Sequence, residues 1–531
     1  LFDKVSILAS AMRNAGVQSG DRIAGFLPNM PIAIIAMLAT ASIGAIWSSC
    51  SPDFGIKGVL DRFEQIKPKI LFTVDGYNYN GKKFNYLDKV NQITEKLPSL
   101  KYVVVNPYIS HLVELTDIPN GISYQHFIKN NKSKKNHFEQ LPFDHPLYIM
   151  YSSGTTGMPK AIVHGAGGTL VQHLKELRLH TNLTRDDTIF YFTTCGWMMW
   201  NWLVSSLAVG ATVVLYDGSP FYPDGNAMWN LVDELGITVF GTSAKYIASC
   251  NMAGIQPIAN NKLSKLKTIL STGSPLMNES FDYVYTNVKR DVMLSSIAGG
   301  TDIISCFVLG NPNLPVYRGE IQCKGLGMNV HAFSENGKSL INKQGELVCT
   351  NPFPSMPIYF WNDPDGEKYI KAYFDEYPGI WHHGDYISIS EHNGITMHGR
   401  SDATLNPGGV RIGTSEIYRV VENMSEIDDS LVIGQEWQGD ERVILFIKLN
   451  DGFILNDDLK SNISYAIKSN CSPRHVPSKI LETPDIPYTI NGKKVEIAVK
   501  KIIGGGIIGN RDALANPESL DYFRNIPELS E

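Results

Sequence analysis

The residues best suited to chemistry stand in one run, Tyr151-Ser152-Ser153-Gly154-Thr155-Thr156-Gly157-Met158-Pro159-Lys160. Gly154 and Gly157 let the main chain turn its N–H groups inward with no Cβ in the way. Ser152, Ser153, Thr155 and Thr156 add hydroxyls around that turn, and Lys160 adds a cation. A nest of this composition cradles a polyphosphate. The residues that follow, Ala161-Ile162-Val163-His164, read as a strand. A Walker loop instead has Gly-Lys-Ser/Thr opening a helix directly, so this is a phosphate loop of another type. A polar hairpin turn is the plain alternative for any shorter part of the pattern.

Other runs carry weaker signals on their own. Ser271-Thr272-Gly273-Ser274-Pro275 follows a short strand and reads as an ordinary turn. Gly299-Gly300-Thr301-Asp302 is a glycine-rich turn ending in a carboxylate. Trp381-His382-His383-Gly384-Asp385-Tyr386 holds another carboxylate, able to accept two hydroxyl donors at once. Its two histidines are not read as a metal pair, because neighbours on a strand face opposite ways. Cys195-Gly196-Trp197-Met198-Met199-Trp200-Asn201-Trp202 is expected to pack as aromatic core. Pro487-Tyr488-Thr489-Ile490-Asn491-Gly492-Lys493-Lys494 turns at a glycine and presents two lysines, in isolation a solvated pair.

Together with residues 41–55, these runs resemble the acyl-adenylate-forming superfamily of acyl-CoA synthetases, luciferases and nonribosomal-peptide adenylation domains. The resemblance covers most of the chain and is nearest to ligases of acetoacetate. It implies an α/β fold with a large N-terminal domain, residues 1–401, made of α/β subdomains and a small β-rich one. A smaller, mobile α+β lid follows over 402–531, hinged near Asp402. ATP, Mg²⁺ and coenzyme A are the implied small-molecule partners. The implied activity forms acetoacetyl-CoA from acetoacetate and CoA through an acyl-adenylate, releasing AMP and pyrophosphate. The alternatives are a ligase for propionate, butyrate or acetate, and a non-catalytic nucleotide-binding protein on the same fold.

Carried onto matching positions, the resemblance gives phosphate contacts to Ser152, Ser153, Gly154, Thr155, Thr156, Gly157 and Lys160. Gly273, Ser274 and Pro275 are to pack on adenine. Gly300 and Thr301 are to stand at the nucleotide, the Thr301 hydroxyl on the α-phosphate. Asp302 stands where relatives carry Glu and is to help hold Mg²⁺, its side chain one methylene shorter. Asp385 and Arg400 are to contact ribose, and Arg411 the phosphates. Gly408 and Gly409 are to admit the thiol arm of CoA. Lys493, in Asn-Gly-Lys where relatives have Ser-Gly-Lys, is to bridge the carboxylate and the α-phosphate. Trp197 and Met198 are to wall the acyl pocket. Gly299 replaces a Trp of acetate-using relatives, which is expected to make room for a longer acid. The ketone of acetoacetate then needs a donor, Asn201 or a Trp N–H, because an unpaired buried carbonyl costs about 1–3 kcal/mol.

These residues need a scaffold. Strands are predicted over 23–27, 70–74, 102–105, 147–151, 188–194, 212–216, 238–241 and 292–296, with helical stretches between several of them. Residues 31–46 are apolar nearly all round and read as one buried helix; 227–235 read as a helix capped by Gly236. This alternation argues for parallel sheets covered on both faces. Turn-rich strands dominate 315–399; further strands are predicted at 430–434 and 442–449, and a helix at 457–468. A tail from Gly504 is expected to wrap the surface.

At 531 residues the chain needs more than one core. A net charge of −6, from 47 Lys+Arg and 53 Asp+Glu, excludes nucleic-acid binding driven by bulk charge. The longest apolar run is too short to span a bilayer, so no integral membrane contact is expected. Seven scattered cysteines without a C-x-x-C pair point to reduced thiols and a cytoplasmic setting. The chain begins Leu1-Phe2-Asp3, and its start is expected to be truncated.

Overall fold

A computed structural model describes residues 1–531 apart from 133–136, 153–157, 404, 406, 408–411, 439, 491, 509–510 and 531. The first sheet joins, in order, the strands Tyr359–Phe360, Lys160–Gly165, Pro146–Ser152, Ile46–Cys50, Arg22–Phe26, Ile70–Val74, Tyr102–Asn106 and Gly121–Ser123. Its centre is parallel: Arg22–Phe26 pairs with Ile46–Cys50 on one side and Ile70–Val74 on the other. These strands are short runs buried along nearly their whole length, the pattern that parallel pairing demands. Pro146–Ser152 and Lys160–Gly165 are antiparallel, with Ser152 opposite Lys160.

A second, wholly parallel sheet runs Thr212–Val214, Thr188–Tyr191, Val239–Ser243, Thr268–Thr272 and Met293–Ser296. A third, antiparallel sheet runs Ser339–Leu340, Val330–Phe333, Gln344–Cys349, Trp381–Ile389 and Ile395–Arg400. This is the β-rich region expected from the turn signals over 315–399.

The C-terminal portion builds its own layers. Its sheet joins Ile427–Trp437, Asp440–Leu449 and Lys479–Glu482. Alternation splits the strand between two cores: Val432 packs on the side of the helices Thr414–Val421 and Asp457–Asn470, Leu431 and Ile433 on the side of Glu496–Ile503.

Three expectations change. The helix from Pro31 stops at Ser42, and Ile46–Cys50 is a strand. Gly44, at φ +72°, makes the turn between them, a conformation open to glycine at no steric cost. The strand at 188 ends at Tyr191. The tail does more than wrap the surface, since Leu514, Leu520 and Phe523 are buried in the core beside Glu496–Ile503. All seven cysteines are free, and burial pushes the Cys50 thiol up to about 12.

Candidate active site

The phosphate run falls where the pairing of two antiparallel strands requires a connection. Ser152 ends one strand, Lys160 begins the next, and the two are register partners. Ser153, Gly154, Thr155, Thr156 and Gly157 lie outside the described residues. Of its flanks, Ser152 Oγ is buried with no hydrogen-bond partner among the described residues. Lys160 reaches across to Asp302, Nζ to Oδ1 at 3.3 Å, so the end of the phosphate run and the turn Thr301–Ile303 share one site.

Asp302 follows Thr301 in a short 3-10 turn, Thr301–Ile303. Tyr373 donates its hydroxyl to Asp302 Oδ1 at 2.6 Å. Burial opposes ionisation of Asp302, but Lys160, His383, the Tyr373 hydroxyl and Arg400 together outweigh it and hold the carboxyl down to about 2. Its Oδ2 has no hydrogen-bond partner among the described residues, which leaves one oxygen for a hydrated cation. His164, on the strand after the loop, donates from Nε2 to the Thr301 carbonyl at 3.0 Å. That role fixes its tautomer, and burial lowers its pKa to about 3, so it stays neutral.

Asp385 and Arg400 are cross-strand partners, with Nη1 and Oδ1 3.4 Å apart. His383 stands 3.6 Å from the other Asp385 oxygen. His382 points away, its Nε2 3.0 Å from Glu346. The adjacent histidines thus serve opposite faces of the strand.

Lys493 comes from the far end of the chain. Its hairpin closes through Thr489 N to the Lys493 carbonyl and Gly492 N to the Thr489 carbonyl, both 2.8 Å, with Gly492 at φ +74°. The ammonium faces the same site. Desolvation lowers its pKa first, Arg400 adds to this, and Asp385 and Asp302 oppose it. Among the described residues no carboxylate pairs with Lys493 within 4.0 Å, so its charge is open to a ligand.

Two cavities meet at this lysine. The smaller, about 60 Å³, is lined by Trp197, Asn201, Tyr151, Thr301 and Lys493, and roofed by Thr489, Ile490 and Ala513 of the C-terminal portion. The larger, about 1070 Å³, takes in Gly273, Ser274, Pro275, Gly299, Asp385, Arg400 and Lys493. Both cations, among them Lys493 and Arg400, and carboxylates, among them Asp385 and Asp429, line its walls, and its volume is ample for a nucleotide.

The expected residues thus converge from both ends of the chain, with exceptions. Gly408, Gly409 and Arg411 lie outside the described residues, and Asp402 is described only as part of the turn Ser401–Ala403. Gly300 precedes Thr301 in extended backbone. Met198 is buried and borders neither cavity. Gly299 corrects the pocket argument. A Cβ there would stand 2.1 Å from the Ser305 carbonyl oxygen and 2.7 Å from Cys306 Cα. Main chain, not free volume, fills the place of an indole. Tyr373 and His164 are additions that the sequence did not single out. His164 had a faint signal, standing on the strand that leaves the phosphate loop; Tyr373 had none.

A family profile described as AMP-binding enzyme matches residues 1–360. The acetoacetyl-CoA synthetase of Gallus gallus is 55% identical over 536 residues, covering 100% of this chain and 80% of its own length. That of Rhizobium meliloti is 54% identical, covering 99% of this chain and 81% of its own. Among solved structures, acetoacetyl-CoA synthetase from Streptomyces lividans superposes with a TM-score of 0.93 at 43% identity, over 99% of this chain and 81% of that one. An anthranilate CoA ligase in complex with anthranoyl-AMP superposes with a TM-score of 0.78 at 18% identity, over 92% of this chain and 89% of that one, a likeness of fold alone. The chain belongs to the AMP-binding enzyme family, within its acetoacetyl-CoA synthetase branch.

Proposed function

We propose that this chain ligates acetoacetate to CoA at the expense of ATP, in two steps through an acetoacetyl-adenylate. The observation that carries the reading is the meeting of Lys493 and Thr301 on one cavity, in a chain 55% identical to an acetoacetyl-CoA synthetase. In the first step a carboxylate oxygen bonds to the α-phosphorus of ATP and the bond to pyrophosphate breaks. The acid is already ionised at neutral pH and needs no general base. The task is to hold two anions together and offset their charge. Lys493 bridges carboxylate and α-phosphate, and Thr301, oriented by His164 through its carbonyl, donates to the α-phosphate. Lys160 and the loop 152–157 take the leaving phosphates.

Gly273, Ser274 and Pro275 flank adenine beside Gly300, and Asp385 accepts from the ribose hydroxyls next to Arg400. Asp302 would help hold Mg²⁺, which would supply charge neutralisation on the phosphates. Arg411, Gly408 and Gly409 keep their expected parts at the phosphates and the thiol arm. Trp197 walls the smaller cavity as acyl pocket, with Asn201 as donor to the ketone. In the second step the CoA sulfur bonds to the acyl carbon and AMP leaves. The lid comprises residues 402–531 and turns at Asp402, in the short turn Ser401–Ala403 just before the apolar core that begins at Leu405. The seven free cysteines support a reducing, cytoplasmic setting, and no helix of the described residues is long and apolar enough to cross a membrane.

The test is acid-dependent ATP–pyrophosphate exchange, followed by thioester formation, across acetoacetate, acetate, propionate and butyrate. Acetoacetate is expected to give the highest kcat/KM; a higher value for another acid would reassign the substrate. Lys493→Ala is expected to slow adenylation by about 10²–10³-fold, the scale of losing one transition-state donor. Thioester formation from supplied acetoacetyl-adenylate should survive; equal loss in both steps would remove the assigned role.

A further inference from the structure

The hairpin that carries Lys493 is held at its base by groups outside the reacting set. Tyr488 and Lys494 are bridge partners there. The Tyr488 hydroxyl donates to both oxygens of Asp429, at 2.9 and 2.7 Å. Lys494 donates to Asp429 at 2.8 Å, to Glu422 and to the Ser430 carbonyl, and lies 4.2 Å from the Tyr418 ring centre. All of these residues belong to the C-terminal portion, so the bonds travel with the hairpin wherever it goes.

One further cation reaches the base from the other side of the cleft. Lys245 stands on the helix Ala244–Met252, packed against the second parallel sheet. Its Nζ lies 3.3 Å from the Tyr488 ring centre and 4.0 Å from Asp429 Oδ2. A cation over a ring whose hydroxyl is hydrogen-bonded to a carboxylate gains from both the π face and the charge behind it. Lys245 also lines the larger cavity, so this contact spans the cleft beside the nucleotide site.

We infer that Lys245 is a positioning residue for the adenylation step, latching the base of the Lys493 hairpin to the large N-terminal portion only while Lys493 is in the site. The inference rests on the two-step reading above. Lys494 secures the hairpin's shape and Lys245 secures its place. When the C-terminal portion rotates for the second step, the Lys494 bonds persist and the Lys245 contact breaks. Loss of Lys245 therefore lowers the population of the arrangement that forms the adenylate and leaves the thioester arrangement intact.

The test separates the half-reactions in Lys245→Met. Acetoacetate-dependent ATP–pyrophosphate exchange is expected to fall about tenfold in kcat/KM, the size of a cation–ring contact in a partly desolvated site. Thioester formation from supplied acetoacetyl-adenylate and CoA should stay within about twofold of wild type, on the population argument. Lys245→Arg, which keeps a cation over the ring, should restore exchange. Equal loss in both half-reactions, or no loss of exchange, would overturn the inference. A readout that needs no turnover is amide hydrogen exchange of residues 487–495 with a non-hydrolysable ATP analogue bound. It should quicken in Lys245→Met and not in Lys245→Arg, and unchanged exchange would also overturn the latch. Wild-type protein that activates no acid would instead sink the functional reading, leaving the amide measurement to judge the latch alone.

Discussion

Lys493 and Lys494 are consecutive, yet they answer to opposite surroundings. Lys494 is drawn above its usual range: burial opposes its charge, but Glu422 and Asp429 outweigh it. Lys493 is lowered, chiefly by desolvation, with Asp385 and Asp302 too weak to restore it. On the role proposed for Lys493 as a cation, adenylation should decline as pH rises through its lowered pKa. The alkaline limb of kcat/KM for adenylation, which reports the free protein, is therefore expected below the ordinary lysine value of about 10.4. A limb at or above that value would show that another group sets it. The resemblance assigned the role to Lys493, the lysine that directly follows the glycine in Asn-Gly-Lys.

Gly299 marks where reasoning at this scale fell short. A sequence gives the size of a side chain but not the backbone that moves into its place. A β-carbon at this position would meet the Ser305 carbonyl at 2.1 Å. Gly299→Ala is thus expected to cost about 1–3 kcal/mol of stability by overpacking. It should slow every acid alike. Thermal unfolding and the acid panel check this, and a turn toward acetate with unchanged stability would contradict it.

At the scale of elements, the helix Ile56–Ile66 begins without help from its own N-cap, since Gly55 has no side chain to offer. Asp512 supplies the missing acceptor from far along the chain, Oδ2 taking the Gly58 N–H at 3.1 Å. A carboxylate there satisfies an orphan donor and complements the helix dipole. Asp512→Ala should cost about 1 kcal/mol, the usual value of a lost cap. Chemical denaturation measures it, and an unchanged midpoint would refute the cap. Parallel strands such as Ile70–Val74 were legible because burial on both faces leaves an unbroken apolar run. The helix after Pro31 was read too long for the same reason. A run that is apolar all round has no period to mark its end. Tyr373 and Asp302 meet across 71 positions, a contact that no local pattern encodes.

For the whole molecule, the expected layering is present: two sheets with parallel cores, an antiparallel β-rich sheet, and a smaller C-terminal portion with its own cores. The phosphate loop was readable as a motif by itself, the carboxylate turns and the terminal lysine only through the resemblance. Their meeting was not readable from spacing, because Lys160 and Asp385 stand on strands of different sheets, Asp302 in a 3-10 turn and Lys493 in a hairpin of the C-terminal portion. Only the fold makes them one site.

The smaller cavity has walls from the N-terminal portion, but Thr489, Ile490 and Ala513 cover it from the other. On the two-step reading, those three depart together when the lid turns. The gap that admits a thiol admits water as well, and a mixed anhydride tolerates water poorly. A protein starved of CoA therefore consumes ATP in idle cycles, at a pace set by how often its roof lifts.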